Sequence, residues 1–120
     1  MPVKILVTGF EPFGPDAVNA AWEAVSRLPE AIGGAEIVKR RLPVEYEAGP
    51  ARLEALVEEL APDAVLSVGQ AAGRAALTPE LVGINWKDAS LPDNAGVLCQ
   101  GEPIDPAGAD AHFSNLPVKE

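Results

Sequence analysis

The sequence predicts an α/β fold: a three-layer α/β/α arrangement around a mainly parallel, twisted sheet. Three observations carry this. A β-branched and aliphatic run, Val3–Thr8, is too short for a helix. Two later segments repeat apolar residues at helical spacing. A further apolar run follows at Ala64–Val68. The order strand, helix, strand, helix, strand implies parallel pairing through right-handed crossovers.

Val3–Thr8 reads as a buried strand, broken only by Lys4. Asn19 is a fitting N-cap for a helix through about Leu28, with Ala21, Val25 and Leu28 at i, i+4 and i+7 and Trp22 beside them. Pro29 and Gly33-Gly34 end that helix and turn the chain. Glu36–Leu42 has strand character, but Glu36, Lys39, Arg40 and Arg41 mark it as an edge or partly exposed strand. Gly49-Pro50 opens a second helix, since proline suits its first turn. There Leu53, Leu56, Val57 and Leu60 form the core stripe, and Pro62 stops the helix. Leu81–Trp86 is a possible fourth strand.

Lys87 to about Phe113 shows little periodicity and many turn formers, among them Pro92-Asp93-Asn94, Gly96, Gly101 and Pro106. So long a structureless stretch is uncommon inside a compact domain. Ser114 then reads as an N-cap, with Leu116-Pro117-Val118 as a helix start. The expectation is one α/β domain over residues 1–120, its sheet incomplete at the carboxy-terminal end, forming the front part of a larger domain.

Composition narrows the function. The 120 residues are 48% hydrophobic and 22% charged, which fits a soluble globular domain with a modest core. A net charge of −9 argues against nucleic acid or an anionic membrane as partner. No apolar stretch approaches the roughly 20 residues that span a bilayer. The chain runs from Met1-Pro2-Val3-Lys4 straight into a strand, without a signal segment, and the single cysteine allows no internal disulfide. The expected location is the cytoplasm.

The stretch Thr8-Gly9-Phe10-Glu11-Pro12-Phe13-Gly14 stands out. It is the loop at the carboxyl end of the first strand, the edge where open α/β sheets bind ligands. Its glycines and proline make it stiff, and it displays two flat apolar faces. A dinucleotide fingerprint needs three spaced glycines, and a P-loop needs Gly-Lys-Ser/Thr; neither is present. A slot for a small, flat, uncharged group fits, and so does a plug in which Phe10 and Phe13 fill the core beneath the loop.

Gly69-Gln70-Ala71-Ala72-Gly73-Arg74 follows the second apolar strand, so a parallel sheet brings it to the same carboxyl edge. Gln70 can both donate and accept, as reading an amide or lactam requires. Glu80, just before Leu81–Trp86, can meet a substrate N–H or a catalytic group; alternatively it bonds to Arg74.

These residues carry a resemblance. Lys4 to Gly14, then Asn19 and Trp22-Glu23-Ala24-Val25, resembles the start of the pyrrolidone-carboxylate peptidases (pyroglutamyl peptidase I). Pro62-Asp63, Val68-Gly69-Gln70-Ala71, Gly73-Arg74, Thr78-Pro79-Glu80 and Asn85 are similar to that family's glutamate signature. Leu91-Pro92-Asp93-Asn94-Ala95-Gly96 and Phe113-Ser114-Asn115-Leu116-Pro117 continue the match. The resemblance implies an α/β/α fold, cytoplasmic and often tetrameric. It implies cleavage of an N-terminal pyroglutamyl residue from peptides by a cysteine, a histidine and a glutamate, with no metal or other cofactor. Glu80 matches the glutamate, Phe10 and Phe13 the aromatics that hold the pyroglutamyl ring, and Gln70 a residue beside it.

The family's cysteine and histidine have no match within these 120 residues. Cys99 lies outside any cysteine motif and is expected to be buried, and His112 stands where the family commonly has an aromatic. Leu81 replaces a basic residue, Gly83 an alanine and Ser90 an arginine. The alternative function is a non-catalytic binding protein that keeps the pyroglutamyl slot. A related small-molecule hydrolase or phosphorylase would want a cationic clamp, for which these loops offer only Arg74.

Overall fold

The computed structural model describes residues 2–118. They fall into two compact units: residues up to Gln70 with Asp93–Val97, and Ala71–Pro92 with Leu98 onward.

The first unit is the α/β layer structure. Its elements are β1 (Lys4–Phe10), α1 (Ala20–Ser26), β2 (Ala31–Ile32), β3 (Ala35–Leu42), α2 (Ala48–Leu60) and β4 (Ala64–Ser67). The sheet order is β2-β3-β1-β4, so β1 is interior. It runs parallel to β3, from Lys4 opposite Glu36 to Phe10 opposite Leu42, and parallel to β4, from Ile5 opposite Ala64 to Thr8 opposite Ser67.

Strand alternation builds two cores. Leu6, Val38 and Leu42 point to one face and meet Leu56 of α2, with Phe10, Leu53, Leu60 and Val65 packed around them. Val7 and Ile37 point to the other and meet Val25 of α1, with Ile5, Trp22, Leu28 and Val68. The helix stripes are those the spacing predicts, with one exception. Val57 is exposed; the buried stripe of α2 is Leu53, Leu56 and Leu60.

β3 is the partly exposed strand that its charges predict, with Glu36 and Arg41 exposed. β1 covers one side, and the two-residue β2 covers part of the other, turning back through Gly33-Gly34, both at positive φ (55° and 82°). Two glycines between strands are a hairpin signal that the sequence offers. Lys39 shares the face of Ile37, and its Nζ donates to the Leu28 carbonyl (2.7 Å) and the Ser26 carbonyl (3.4 Å) at the end of α1. Lys4 does the same on the opposite face: its Nζ donates to the Leu60 carbonyl at the end of α2, 3.0 Å away. A cation there satisfies orphan carbonyls and favours the helix dipole. In these positions charge on a strand is a helix cap.

Gly9 sets how close α1 comes. It is buried, and a Cβ there would lie 2.9 Å from Trp22 Cα and 3.0 Å from Trp22 N. The obstacle is helix backbone, which cannot swing away as a side chain does.

The second unit corrects three expectations. The segment around Leu81–Trp86 yields only Val82–Ile84 (β5), paired antiparallel with Ala111–Phe113 (β8), not a strand of the parallel sheet. Lys87–Asp88 (β6) pairs antiparallel with Gln100–Glu102 (β7), so the turn-rich stretch is organised into short ribbons rather than structureless. Asn85 substitutes for a longer ladder. Its Nδ2 donates to the Asp105 carbonyl (2.7 Å), and its Oδ1 accepts the Asp105 N–H (2.8 Å). Residues 116–118 are not helical. Ser114 Oγ does accept the Leu116 N–H at 3.1 Å, but Pro117 follows at once and no helical turn forms.

Gly9→Ala should therefore cost about 1–3 kcal/mol, the usual price of overpacking. Urea unfolding checks this; an unchanged midpoint would mean that α1 can move away from the sheet.

Candidate functional site

The carboxyl edge of the parallel sheet positions the site of the first unit. The chain leaves β1 at Phe10, and the Glu11 N–H donates to the Leu42 carbonyl (3.0 Å), carrying the strand pairing one residue into the loop. Phe10 leans on the Leu6, Val38, Leu42 and Leu56 cluster, so it fills the core beneath the loop. Phe13 is half-buried and belongs to neither core cluster. Both rings are half-buried, but only Phe10 packs on a core cluster. Gly14 closes the loop at φ 60°, a conformation that glycine adopts without strain.

Gln70 ends the segment after β4 and reaches the start of α1. Its Oε1 accepts the Ala20 N–H at 2.7 Å, while Asn19 Oδ1 accepts the Ala21 N–H at 2.9 Å. Two carboxamides thereby cap one short helix. With one lone pair of Oε1 engaged, Gln70 keeps its Nε2 amino group and the second lone pair for a ligand.

Two residues that the sequence reading noted as turn formers and in the family match, without a site role, organise this edge. Asp93 Oδ2 accepts the Tyr46 N–H (2.8 Å), ahead of α2, and Oδ1 accepts the Ala95 (2.9 Å) and Val97 (2.8 Å) N–H groups. Asn94 donates its N–H to the Val44 carbonyl at 2.9 Å. Its side chain bonds to Gly14, Pro12 and Glu11. Glu11 Oε1 also accepts the Val44 N–H at 3.2 Å. The loop after β1 and the loop after β3 are thus tied together by Asp93, Asn94 and Glu11. The available signal was Pro-Asp-Asn followed by Gly96: Asp and Asn bond to nearby backbone where a turn leaves amides free.

Water is partly withdrawn from the Asp93 carboxyl, which raises its pKa. The backbone N–H groups of Tyr46, Val97, Ala95 and Gly96 outweigh this and hold it below the ordinary 3.8.

In the second unit Glu80 is exposed. Its Oε1 lies 3.2 Å from Arg74 Nη1, and the same Nη1 donates to Thr78 Oγ1 at 2.6 Å. The Arg74 pairing weighed from sequence is present, and Glu80 keeps its second oxygen for other contacts. Cys99 is buried, while His112 lies on the exposed strand β8. No cluster of three or more metal-ligating side chains occurs among the described residues, and no helix among them is long and apolar enough to cross a membrane. An open groove of about 730 Å³ runs along β2 and β3, lined by Ala31, Gly34, Ile37 and Val38 among others; it holds none of the candidate residues.

A family model described as pyroglutamyl peptidase matches residues 3–120. The chain belongs to the pyroglutamyl peptidase family. It is 48% identical over 117 residues to a pyrrolidone-carboxylate peptidase of Thermococcus onnurineus, covering 98% of this chain and 58% of the relative. A pyrrolidone-carboxylate peptidase of Lactobacillus johnsonii is 50% identical over 117 residues, with 54% of its length covered. Among solved structures, pyroglutamyl peptidase I from Bacillus amyloliquefaciens superposes with a TM-score of 0.94 at 43% identity, over 99% of this chain and 57% of that one. A mutant pyrrolidone carboxyl peptidase from Pyrococcus furiosus gives 0.92 at 42% identity, over 98% and 57%. The chain thus spans little more than half the length of these relatives.

Asp93 yields a pH prediction. Its folded pKa is depressed, so its stabilisation is present above pH 3.8 and is lost as pH falls through the lower folded value. Asp93→Asn should lower the melting temperature at neutral pH, and the gap to wild type should close in acid below pH 3.8. A gap of constant size from pH 7 to 2 would show that the charge is immaterial.

Proposed function

We propose that residues 1–120 form the pyroglutamyl-recognition part of a cysteine peptidase that removes N-terminal pyroglutamyl residues from peptides. The observation that carries this is the loop from Gly9 to Gly14. It is tied down at both ends, and it presents the half-buried Phe13 at the carboxyl edge of the sheet. A lactam ring is flat and uncharged, and an aromatic face is its natural support. Gln70 Nε2, on the segment leaving the same edge, supplies a donor for the lactam carbonyl. Glu80 matches the family's glutamate and is the carboxylate assigned here to catalysis.

In the reaction a thiolate attacks the scissile carbonyl, a histidine carries the proton to the leaving amine, and water releases the acyl group. Cys99 is not that nucleophile: it is buried, while His112 lies on an exposed strand. Phe13 and Gln70 bind and orient the lactam, and Glu80, as the family's glutamate, steadies a catalytic group. The 120 residues alone bind pyroglutamyl peptides without cleaving them. Peptide is the partner class, and a homotetramer in the cytoplasm is the expected setting.

Titration of the chain with pyroglutamyl-alanine and with prolyl-alanine tests recognition. The first should bind and the second, which lacks the lactam carbonyl, should not; equal affinity would sink the reading. Pyroglutamyl-coumarin turnover by the pure chain, abolished by Cys99→Ser, would overturn the claim that it does not cleave.

The catalytic role of Glu80 needs a turning-over enzyme, such as residues 1–120 fused to the carboxy-terminal part of the Thermococcus relative. There Glu80→Gln should lower kcat/KM at least about tenfold, or about 1.4 kcal/mol. The melting temperature should hold, because an exposed ion pair contributes little. Full activity of this variant would remove Glu80 from the mechanism. Phe13→Ala should raise KM with little loss of stability; a loss of several kcal/mol with KM unchanged would mean that Phe13 is a core plug.

A further inference from the structure

One side chain reaches three of the six residues in the aromatic loop. Asn94 Oδ1 accepts the Gly14 N–H at 3.0 Å. Its Nδ2 donates to the Pro12 carbonyl at 2.8 Å and to Glu11 Oε1 at 3.1 Å. Pro12 and Gly14 are the neighbours of Phe13 on either side, so the backbone that aims the Phe13 ring is held before and after it. Asn94 is itself fixed, through its N–H on the Val44 carbonyl and through its neighbour Asp93.

The chemistry of this contact selects a carboxamide. Gly14 needs an acceptor, and the Pro12 carbonyl and the Glu11 carboxylate need donors. A carboxylate supplies only the first and repels Glu11; a hydroxyl is too short to span all three. The loop is a surface segment, so without this tie Phe13 would sample many orientations and a ligand would bear the cost of ordering it.

We propose that Asn94 is a positioning residue for the lactam slot: it sets the Pro12–Gly14 backbone so that the Phe13 face is in place before ligand arrives. This rests on the pyroglutamyl reading of the slot. Asn94 itself touches no reacting atom.

The test uses the 120-residue chain with Asn94→Ala, Asn94→Asp and, as a control for stability, Leu56→Val. Hydrogen exchange at the Gly14 amide and the dissociation constant for pyroglutamyl-alanine are measured for each. Asn94→Ala should speed Gly14 exchange and weaken binding about tenfold. Leu56→Val should lower the melting temperature and leave both readouts near wild type. Asn94→Asp keeps the acceptor for Gly14 but faces Glu11 with a like charge. Its binding defect should therefore shrink as the pH falls toward the carboxylate range, whereas that of Asn94→Ala should not. Faster Gly14 exchange with unchanged affinity overturns the proposal while leaving the pyroglutamyl reading intact, as does a control variant that matches Asn94→Ala in both readouts. Failure of the wild-type chain to bind defeats the pyroglutamyl reading, and with it the slot that Asn94 is proposed to set; unchanged exchange at Gly14 would then separately show that Asn94 does not order the loop.

Discussion

The first unit depends on β1 being buried on both faces at once. Leu6 and Val7 are adjacent, fully or nearly fully buried, and belong to different cores. A one-residue slip in the pairing of β1 would exchange the two faces, putting Lys4 in the place of Ile5 or, in the other direction, Thr8 in the place of Val7. The register with β3 and β4 therefore decides which helix lies where. It also decides which loops leave from the carboxyl edge. Gly9 continues the constraint: on the α1 face, at the end of the strand, only a residue without Cβ lets the helix lie against the sheet.

Much of this layer structure was legible in the sequence, because it follows from periodicity. β1 and the stripes of Ala21, Val25 and Leu28 and of Leu53, Leu56 and Leu60 obey alternation and helical spacing, and tertiary contacts reinforce them. The charged β3 was harder. Composition marks Lys39 as solvent-facing, yet its amine ends on carbonyls at the end of α1. Sequence spacing cannot register a cap given by a residue on another element. The second unit was harder still: its strands are two or three residues long, too short for alternation to be read, and side chains such as Asn85 do what ladders do elsewhere.

The candidate site divides along the same line. Phe10, Phe13 and Gln70 were readable as residues at the carboxyl edge, since strand order fixes where their loops emerge. That Phe10 packs on a core cluster and Phe13 does not was not readable, because the two stand three apart in one loop and sequence assigns them no faces. The cap that Gln70 places on Ala20 spans fifty residues. The hold that Asn94 has on Gly14 spans eighty. Contacts of this kind are polar, specific and distant, and no local pattern announces them.

Three of the four helix ends, and the approach to the fourth, are fastened from elsewhere in the chain. α1 is met by Gln70 at its start and Lys39 at its end; the approach to α2 is met by Asp93, and its last turn by Lys4. Helices of 7 and 13 residues are marginal in water by themselves. Neither can persist as an excised peptide, and neither can melt without releasing a strand or a loop. The first unit should accordingly open as one cooperative block, with amides of α1 and α2 exchanging together rather than fraying turn by turn. A destabilising change in a remote helix then acts on the block as a whole, whereas the loop from Gly9 to Gly14 loosens by itself only where its own ties, such as those of Asn94, are cut.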